Sequence, residues 1–291
     1  LVRSLLELNH KVLVVEELDR NPHKFKNIDT LDIVDCIGHN VFIRDLLNDR
    51  YKNKIEYIFH LGACSKTTEP DREYIMDVNL DYSKMLFEYA ANNNIKMVYA
   101  SSASVYGSGN IFKEDQANES SLNYYSESKL LFDNYVRDNL DKVKSQIVGI
   151  RYFNVFGPNQ YGDSPYSTAV SAWCNNTKFM KPLRSDGDGT QSRDMCYVDN
   201  VVDANILAAF REKRFTGECY NIACDYSVTN ADILTYFIDT FGAKIRHAPW
   251  RPGDIMHTRA DISKAKKDLG YDPKVRFWEG LERTVKWWGL K

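Results

Sequence analysis

Short β-rich runs alternate with segments of helical periodicity along the first half of this chain. The β-rich runs are KVLVV at 11–15, YIFHL at 57–61, KMVYA at 96–100 and QIVGIR at 146–151. The clearest helical segments lie at 82–92 and 127–139, and two more follow at 201–211 and 230–241. Strands that alternate with helices build βαβ units, whose parallel sheet is covered by helices on both faces. The sequence therefore predicts an α/β fold with a doubly wound parallel sheet.

Loop-forming residues become more frequent after Asn154, as in GPNQYGDSP at 157–165 and RSDGDGTQS at 184–192. This change predicts two units. The first is a sheet domain of residues 1–157, to which residues 197–224 return. The second is a smaller lobe made of residues 158–196 and 225–291.

The chain opens with a segment of helical spacing, residues 1–9, which leads directly into the first β-rich run. A doubly wound sheet normally begins with a strand and a glycine-rich turn before such a helix. Neither precedes this helix, and glycine accounts for only 15 of the 291 residues. We therefore expect the first strand and the phosphate-binding turn, about a dozen residues, to lie upstream of Leu1, and expect the chain as given to bind a dinucleotide poorly.

Charge and cysteine usage exclude several classes of protein. The 38 basic and 40 acidic residues give a net charge of −2, without the basic excess of a nucleic-acid binder. No apolar run approaches the roughly 20 residues of a membrane span. The six cysteines form no CxxC pair, and the six histidines form no HxxxH or HExxH motif. We expect a cytoplasmic protein with reduced thiols and no metal, nucleic acid or membrane partner.

Three residues predict a catalytic site. Tyr125 and Lys129 form a YxxxK pair, and at this spacing two side chains share one face of a helix. A nearby ammonium lowers the pKa of a phenol, which is otherwise near 10 and too high for a base at neutral pH. Ser102 follows the KMVYA run, at the strand end where parallel sheets bind ligands. YxxxK alone is also common on solvated helices, so the combination with Ser102 carries this prediction.

Three charged residues are candidates for binding a nucleotide. Glu16 directly follows the KVLVV run, where a carboxylate accepts hydrogen bonds from ribose hydroxyls and repels a 2′-phosphate. Arg193 and Arg251 could clamp a diphosphate, because guanidinium groups bind phosphate oxygens in fork geometry. Taken singly, each is more typical of an ordinary surface residue.

Read in order, these segments resemble the extended short-chain dehydrogenase/reductase family, and within it the nucleotide-sugar epimerases. The segments that carry the resemblance are FHLGA (59–63), Asn79, SSASVYG (101–107), YSESK (125–129), RYFNVFGP (151–158), GDGTQSRDMCYVDNV (187–201), RPGD (251–254) and ADISKAKKDLGY (260–271). The resemblance covers nearly the whole chain. It implies a Rossmann-type domain that binds NAD, a C-terminal lobe that binds a nucleoside diphosphate sugar, and a homodimer.

The resemblance also assigns roles by motif position. Tyr125 matches the catalytic base, Lys129 its partner, and Ser102 the serine that binds the reacting sugar oxygen. The implied cofactor contacts are Glu16, Asp35, Cys36, Leu61, Gly62, Ala63, Asn79, Tyr125, Lys129 and Tyr152. The implied substrate contacts are Ser102, Asn154, Arg193, Arg251 and Thr258.

Different chemistries occur among enzymes of this kind. A 4,6-dehydratase carries an Asp-Glu pair after the residue matching Ser102, where this chain has Ala103 and Ser104. GACSKTTE at 62–69 resembles the heptose 6-epimerases, which use a second base, a lysine. At its position this chain has Asp163, and the next lysine is Lys178.

The C-terminal half resembles epimerases that act at C4 of UDP-sugars. The sequence thus predicts C4 epimerisation of a UDP-hexose or UDP-N-acetylhexosamine through a 4-keto intermediate. The small residue Thr258 stands where an aromatic side chain would restrict the pocket to plain hexoses, which favours N-acetylated sugars. The alternatives are an ADP-glycero-manno-heptose 6-epimerase and, further from the pattern, a 4,6-dehydratase or a non-catalytic NAD-binding sensor module.

Overall fold

The computed structural model of the protein describes residues 1–17, 22–164, 166–211, 216–250 and 255–291. Its strands are β1 Leu13–Val15, β2 Asp35–Ile37, β3 Tyr57–His60, β4 Lys96–Ser102, β5 Ile147–Tyr152, β6 Asn154–Phe156, β7 Leu183–Asp186, β8 Ser192–Tyr197, β9 Thr216–Ile222, β10 Ser227–Thr229 and β11 Ile245–Ala248. Its α-helices are α1 Val2–Glu7, α2 His39–Leu47, α3 Arg72–Met76, α4 Tyr82–Asn92, α5 Tyr124–Asp138, α6 Ala169–Lys178, α7 Val198–Phe210, α8 Asn230–Phe241, α9 Ser263–Leu269 and α10 Phe277–Trp287. A π-helical turn, Asp77–Asp81, joins α3 to α4, and short 3₁₀ turns cover Pro22–Asn27, Ala103–Val105, Gln116–Asn118 and Leu140–Lys142.

A parallel sheet in the order β3-β4-β5-β9 forms the centre of the described structure. The apolar side chains of β4 alternate between its two faces: Met97 and Tyr99 join one core, and Val98 joins the other. Both faces are covered, so the strand reads as a continuous apolar run rather than as an alternating pattern. A second parallel pair, β1 and β2, packs against the same core as Met97. The predicted α/β fold is confirmed.

Helices bury the two faces of this sheet. On one face, α4 and α5 pack Phe87 and Phe132 against Met97 and Tyr99. On the other face, α7 packs its alanines against the apolar residues of β5, and α9 covers β9. The small side chains of α7 allow the helix to lie close to the sheet. Each helix thus removes one apolar stripe from water, which supplies most of the stabilisation of such a layer.

Further sheets and helices surround a third core. The sheet β10-β8-β6 combines an antiparallel and a parallel pairing, and β7 pairs in parallel with β11. The side chains of Trp173, Phe237 and Phe277, from α6, α8 and α10, fill this core. The boundaries predicted for the two units stay a prediction.

The predicted strands and helices occur close to their expected positions, whereas the elements that were not expected are β2, β6–β11, α2, α3, α6, α9 and α10. Five of the six free cysteines are buried, and Cys36 is partly exposed. Among the described residues, no helix is long and apolar enough to cross a membrane, and no group of three His, Cys, Asp or Glu residues is placed to hold a metal ion.

Candidate active site

The start of α5 brings Tyr125 and Lys129 onto one face of the helix. Asn123 caps the helix: its Oδ1 accepts a hydrogen bond from the Ser126 N–H at 2.9 Å, and the Ser126 Oγ accepts from the Asn123 N–H at 3.1 Å. This reciprocal capping box satisfies two backbone donors that a helix start leaves unpaired. The cap therefore fixes where the helix begins, and with it the direction of the YxxxK pair.

Lys129 is a buried cation that is hydrogen-bonded to the central sheet. The residue is only 4% exposed, and its Nζ donates a 2.8 Å hydrogen bond to the carbonyl oxygen of Ala100 on β4. Burial lowers the pKa of Lys129 to about 8, while the carboxylate of Asp133 acts in the opposite direction. Lys129 therefore remains mostly protonated at neutral pH, in a site where its charge is poorly screened.

Tyr125 meets Ser102 at the carboxyl end of β4. The Ser102 Oγ accepts hydrogen bonds from the backbone N–H and the hydroxyl of Ser104, at 3.2 and 2.9 Å, so its own proton is available for the Tyr125 oxygen. Burial raises the pKa of Tyr125, and the hydrogen bond from Ser102 opposes that rise. The lowered phenol pKa expected from the sequence is not present in this structure, because burial outweighs the hydrogen bond.

An open shelf lies at the carboxyl end of β3. Leu61 is 41% exposed although it directly follows a strand of the central sheet, and Gly62 beside it is also exposed. A Cβ built on Gly62 would meet no atom within 4 Å. Ala63 is partly buried and leads into the buried Cys64. Strand ends of this kind are where doubly wound sheets bind dinucleotides.

Asn79 holds the loop beyond this shelf. The residue is 1% exposed and lies in the π-helical turn. Its Oδ1 accepts from the Cys64 N–H at 2.8 Å, and its Nδ2 donates to the Cys64 carbonyl at 3.0 Å and to the Ser128 Oγ at 3.1 Å. The Asn79 amide thus joins the loop after β3 to α5, and its polar atoms are hydrogen-bonded to protein groups. Such π-helical turns are often found at functional sites.

The acidic residues predicted for the ribose and adenine lie on the β1–β2 pair. The Glu16 N–H donates to the Ile37 carbonyl at 3.0 Å, and the Glu16 carboxylate accepts from the Glu17 N–H at 2.9 Å. Burial, Glu16 and Asp35 together raise the pKa of the Cys36 thiol, which places these three side chains near one another. Asp35 is exposed.

The predicted residues at the end of β5 face different ways. The Tyr152 hydroxyl donates to the Asn205 Oδ1 on α7 at 2.9 Å, and burial raises its pKa. Asn154, two residues later, opens β6 and is exposed. Tyr152 is therefore anchored to a helix, whereas the Asn154 side chain is accessible to a ligand.

The predicted substrate residues of the later chain lie at β8 and the segment beside it. The Arg193 Nη1 donates to the carbonyls of Ser192 and Met256, at 2.9 and 3.2 Å. Thr258 is buried, and its Oγ1 accepts from the Asp194 N–H at 3.1 Å. Arg251 lies outside the described residues.

Sequence reasoning missed two side chains next to Tyr125. The Cys64 thiol adds to the rise in the pKa of Tyr125, and it also contacts Tyr166 from the loop before α6. Tyr166 is half exposed and additionally lies near Glu69. The loops after β3 and after β6 therefore meet beside Tyr125. They are about 100 residues apart in the chain, and no local pattern signals that contact.

These features fit a bound dinucleotide. The exposed apolar Leu61 and the empty space at Gly62 offer a surface for it. The carboxylate of Glu16 would offer an acceptor to ribose hydroxyls, and Lys129 would offer a cation beside Tyr125 and Ser102. A parallel sheet with a serine at a strand end, and with a tyrosine and a lysine on the adjacent helix α5, is the arrangement of dinucleotide-dependent enzymes of the short-chain dehydrogenase type.

Residues 1–223 match the NAD dependent epimerase/dehydratase family, and the chain belongs to that family. This match confirms the resemblance seen in the sequence and the expected cofactor, NAD.

Solved structures of nucleotide-sugar enzymes are similar to the chain over nearly its whole length. A UDP-glucuronic acid 4-epimerase from Bacillus cereus, in complex with UDP-glucuronic acid and NAD, shares 25% identity with a TM-score of 0.85, over 99% of this chain and 94% of that one. A UDP-N-acetylglucosamine 4-epimerase from Methanobrevibacter ruminantium shares 29%, with a TM-score of 0.83 over 95% and 90%. The ADP-L-glycero-D-manno-heptose-6-epimerase of Helicobacter pylori shares 27%, with a TM-score of 0.84 over 99% and 91%.

Proposed function

We propose that the protein epimerises a nucleoside diphosphate sugar at C4, with a UDP-hexose or UDP-N-acetylhexosamine as substrate. The observation that carries this proposal is the contact between Ser102 and Tyr125 at the end of β4, with Lys129 on the same helix face. Two of the similar structures are named as C4 epimerases of UDP-sugars. The proposed enzyme is an NAD-dependent isomerase.

The shelf and its neighbours would hold the cofactor. Glu16 would bind the adenosine ribose, the backbone of residues 61–63 would lie against the diphosphate, and Lys129 would contact the ribose next to Tyr125. When bound there, NAD supplies the hydride acceptor and donor that oxidation and re-reduction of a sugar carbon require.

Tyr125 acts as the general base, and later as the general acid, of the proposed reaction. It removes the proton of the sugar 4-hydroxyl as C4 becomes a ketone, and Ser102 holds the same oxygen by a hydrogen bond. Burial raises the pKa of Tyr125, and the ammonium of Lys129 on the same helix face would stabilise the phenolate that forms during the reaction. The 4-keto sugar then turns about its diphosphate linkage, and Tyr125 returns the proton after C4 has been reduced on its other face.

The nucleotide supplies the binding energy while the sugar turns. Arg193 and Arg251 are proposed to grip the diphosphate, and Asn154 and Thr258 to contact the substrate. Interactions with the part of a substrate that does not react can hold it through a step in which the reacting part must move. We also propose that the enzyme is a homodimer.

The heptose 6-epimerase remains the second candidate, because the Helicobacter pylori enzyme is among the similar structures. That reaction uses a second base. Asp163, at the position of that base, is exposed, and the Lys178 Nζ lies over the Trp288 ring at 5.7 Å from its centroid. Both observations favour a mechanism that uses Tyr125 as its only base.

Two other readings find less support. A dehydratase requires an acid to protonate the leaving hydroxyl, and the residues after Ser102 are Ala103 and Ser104. A non-catalytic sensor module would not need the intact serine, tyrosine and lysine.

The test restores the strand and glycine-rich turn expected upstream of Leu1, incubates this completed protein and NAD with UDP-glucose, UDP-N-acetylglucosamine and an ADP-heptose, and resolves the products by NMR. The same completed protein serves for every assay that uses NAD. We expect C4 epimers of one or both UDP-sugars, including the N-acetylated one because Thr258 is small. Tyr125→Phe should lower kcat by at least about 100-fold, the low end for loss of a general base, with UDP-sugar affinity retained. Tyr124→Phe, on the neighbouring and 40% exposed tyrosine, is the matched control. Conversion of the heptose alone, or full turnover by Tyr125→Phe, would contradict the proposal.

A further inference from the structure

A cluster of charges lies buried behind the catalytic residues. The Asp133 cluster, as we call it, consists of Asp133 and Arg137 on α5, Arg151 on β5 and Glu119 from the preceding loop. Asp133 and Arg151 are 0% and 1% exposed. Removing two charges from water is expensive, and well-packed apolar residues often stabilise a core as well. Stability alone therefore does not explain why these charges are buried, and a functional reason is expected.

The Asp133 carboxylate is bound on one side only. Its Oδ2 accepts from the Ser101 hydroxyl at 2.9 Å and from the Arg151 Nη2 and Nε at 2.9 and 3.3 Å. Its Oδ1 is equally buried and has no hydrogen-bond partner among the described residues. An unpaired oxygen on a buried carboxylate leaves part of its charge uncompensated by hydrogen bonds.

Lys129 lies four residues before Asp133, about one helical turn, on the buried face of α5. Its Nζ donates to the Ala100 carbonyl, one residue before the Ser101 that binds Asp133. Among the described residues, Lys129 forms no ion pair within salt-bridge distance. Asp133 is nevertheless the charged group whose attraction opposes the effect of burial on it.

We propose that Asp133 is a positioning residue that keeps Lys129 protonated across one helical turn, and that Arg151 holds the Asp133 carboxylate in place for this purpose. This inference rests on the proposed function, in which the Lys129 cation stabilises the phenolate of Tyr125. It predicts that Asp133 sets the alkaline limit of activity, because a neutral Lys129 no longer assists the tyrosine.

The other groups around Lys129 do not supply this charge. His60 on β3 is buried, its pKa is lowered to about 3 by burial and by the Lys129 charge, and it is therefore neutral. Its Nε2 lies 2.7 Å from the Ser83 Oγ. Tyr125 is protonated at rest, since burial raises its pKa.

The groups that face Asp133 from the sheet are also accounted for. Burial raises the pKa values of Tyr99 on β4 and Cys219 on β9, so both are neutral. Arg137 pairs with Glu119, at 2.7 Å. Arg151 donates to Glu119 as well as to Asp133, so the two arginines and two carboxylates of the cluster balance, and Asp133 is the carboxylate that acts on Lys129.

The test reads the charge of Lys129 directly. Protein labelled with ¹³Cε-lysine is titrated by NMR, and the Lys129 signal is identified by its loss in Lys129→Arg. In Asp133→Asn, which keeps the shape of the side chain, we expect the Lys129 midpoint to fall by about one pH unit, the size expected for loss of one charge at this range. Asp133→Glu and Asp138→Asn, at an exposed position on the same helix, should leave the midpoint near that of the wild type.

The pH profile of kcat/KM should follow the same order, with the alkaline limb displaced to lower pH only in Asp133→Asn. A folded Asp133→Asn with the wild-type Lys129 midpoint would overturn the inference. If this variant does not fold, the double variant Asp133→Asn/Arg151→Gln avoids a stranded guanidinium. It should show a smaller fall, and an unchanged midpoint there would overturn the inference equally. Because the titration needs no turnover, a shifted midpoint in a protein that epimerises no sugar would refute only the proposed function.

Discussion

Replacing Lys129 by methionine should stabilise the folded protein at neutral pH while it removes activity. The lysine is 4% exposed and is charged at pH 7, because its pKa, although lowered, is still about 8. Keeping a cation in such a place is unfavourable for folding, since the unfolded chain returns it to water. Methionine is similar in length and carries no charge.

The size of the effect follows from the pKa. The fall from 10.5 in the unfolded chain to about 8 in the folded protein corresponds to about 3 kcal/mol at pH 7. Loss of the hydrogen bond to Ala100 offsets about 1 kcal/mol of this. We therefore expect Lys129→Met to raise the free energy of unfolding by about 2 kcal/mol at pH 7.

The pH dependence of the free energy of unfolding tests the direction of this effect. The folded protein releases the Lys129 proton at lower pH than the unfolded chain does. Between about pH 8 and 10.5 the unfolded chain binds more protons, and the wild type gains stability as the pH rises. By pH 9.5 the electrostatic penalty has dropped to about 1.4 kcal/mol, so the advantage of the variant should nearly vanish.

Urea denaturation of both proteins at pH 7 and pH 9.5, followed by tryptophan fluorescence, measures these differences. Lys286→Met, on the exposed face of α10, is the matched control and should change stability by less than about 0.5 kcal/mol at either pH. A Lys129→Met protein that is less stable than the wild type at pH 7 would refute the reasoning. A gain that does not depend on pH would refute it as well.

Other predictions concern the sheet and the shelf. Gly149→Ala on β5 should cost about 2 kcal/mol of stability in urea denaturation, because the new Cβ would stand 2.6 Å from the Tyr99 ring. Gly62→Ala meets no atom and should leave stability within about 0.5 kcal/mol, yet weaken NAD binding measured by calorimetry; unchanged NAD affinity would remove Gly62 from the cofactor site. Asn79→Ala should cost about 2–3 kcal/mol in the same denaturation assay, since it strands the buried backbone groups of Cys64, and a smaller loss would indicate that water replaces the amide.

The elements of this fold that can be predicted from the sequence are those with strong local patterns. The apolar runs of β3, β4 and β5 and the helical periodicity of α4 and α8 predict elements close to the observed ones. Strands of three residues, such as β2 and β10, are too short for a pattern to develop. β9 begins in a stretch without a continuous apolar run, and its strand character comes from pairing with β5.

The same distinction applies to the site. The sequence predicts Ser102, Tyr125 and Lys129 as site residues because a turn after a strand and an i, i+4 pair are local features, and their assignment stays a prediction. The role of Asp133 was not predicted, since it depends on Arg151 reaching the same helix from a strand 18 residues away. The direction of the Tyr125 pKa was also missed, because burial is a property of the packed protein and not of a motif.

The position of β9 at the outer side of β5 has a consequence for how this protein is made. β5 is complete at residue 152, but its partner begins at residue 216. During synthesis, Ile147–Tyr152 therefore leaves the ribosome with one edge of hydrogen-bonding groups unpaired while more than 60 further residues are added. Nascent chains that stop before residue 216 should be prone to aggregation and to chaperone capture, and chains that extend past residue 222 should be released from both.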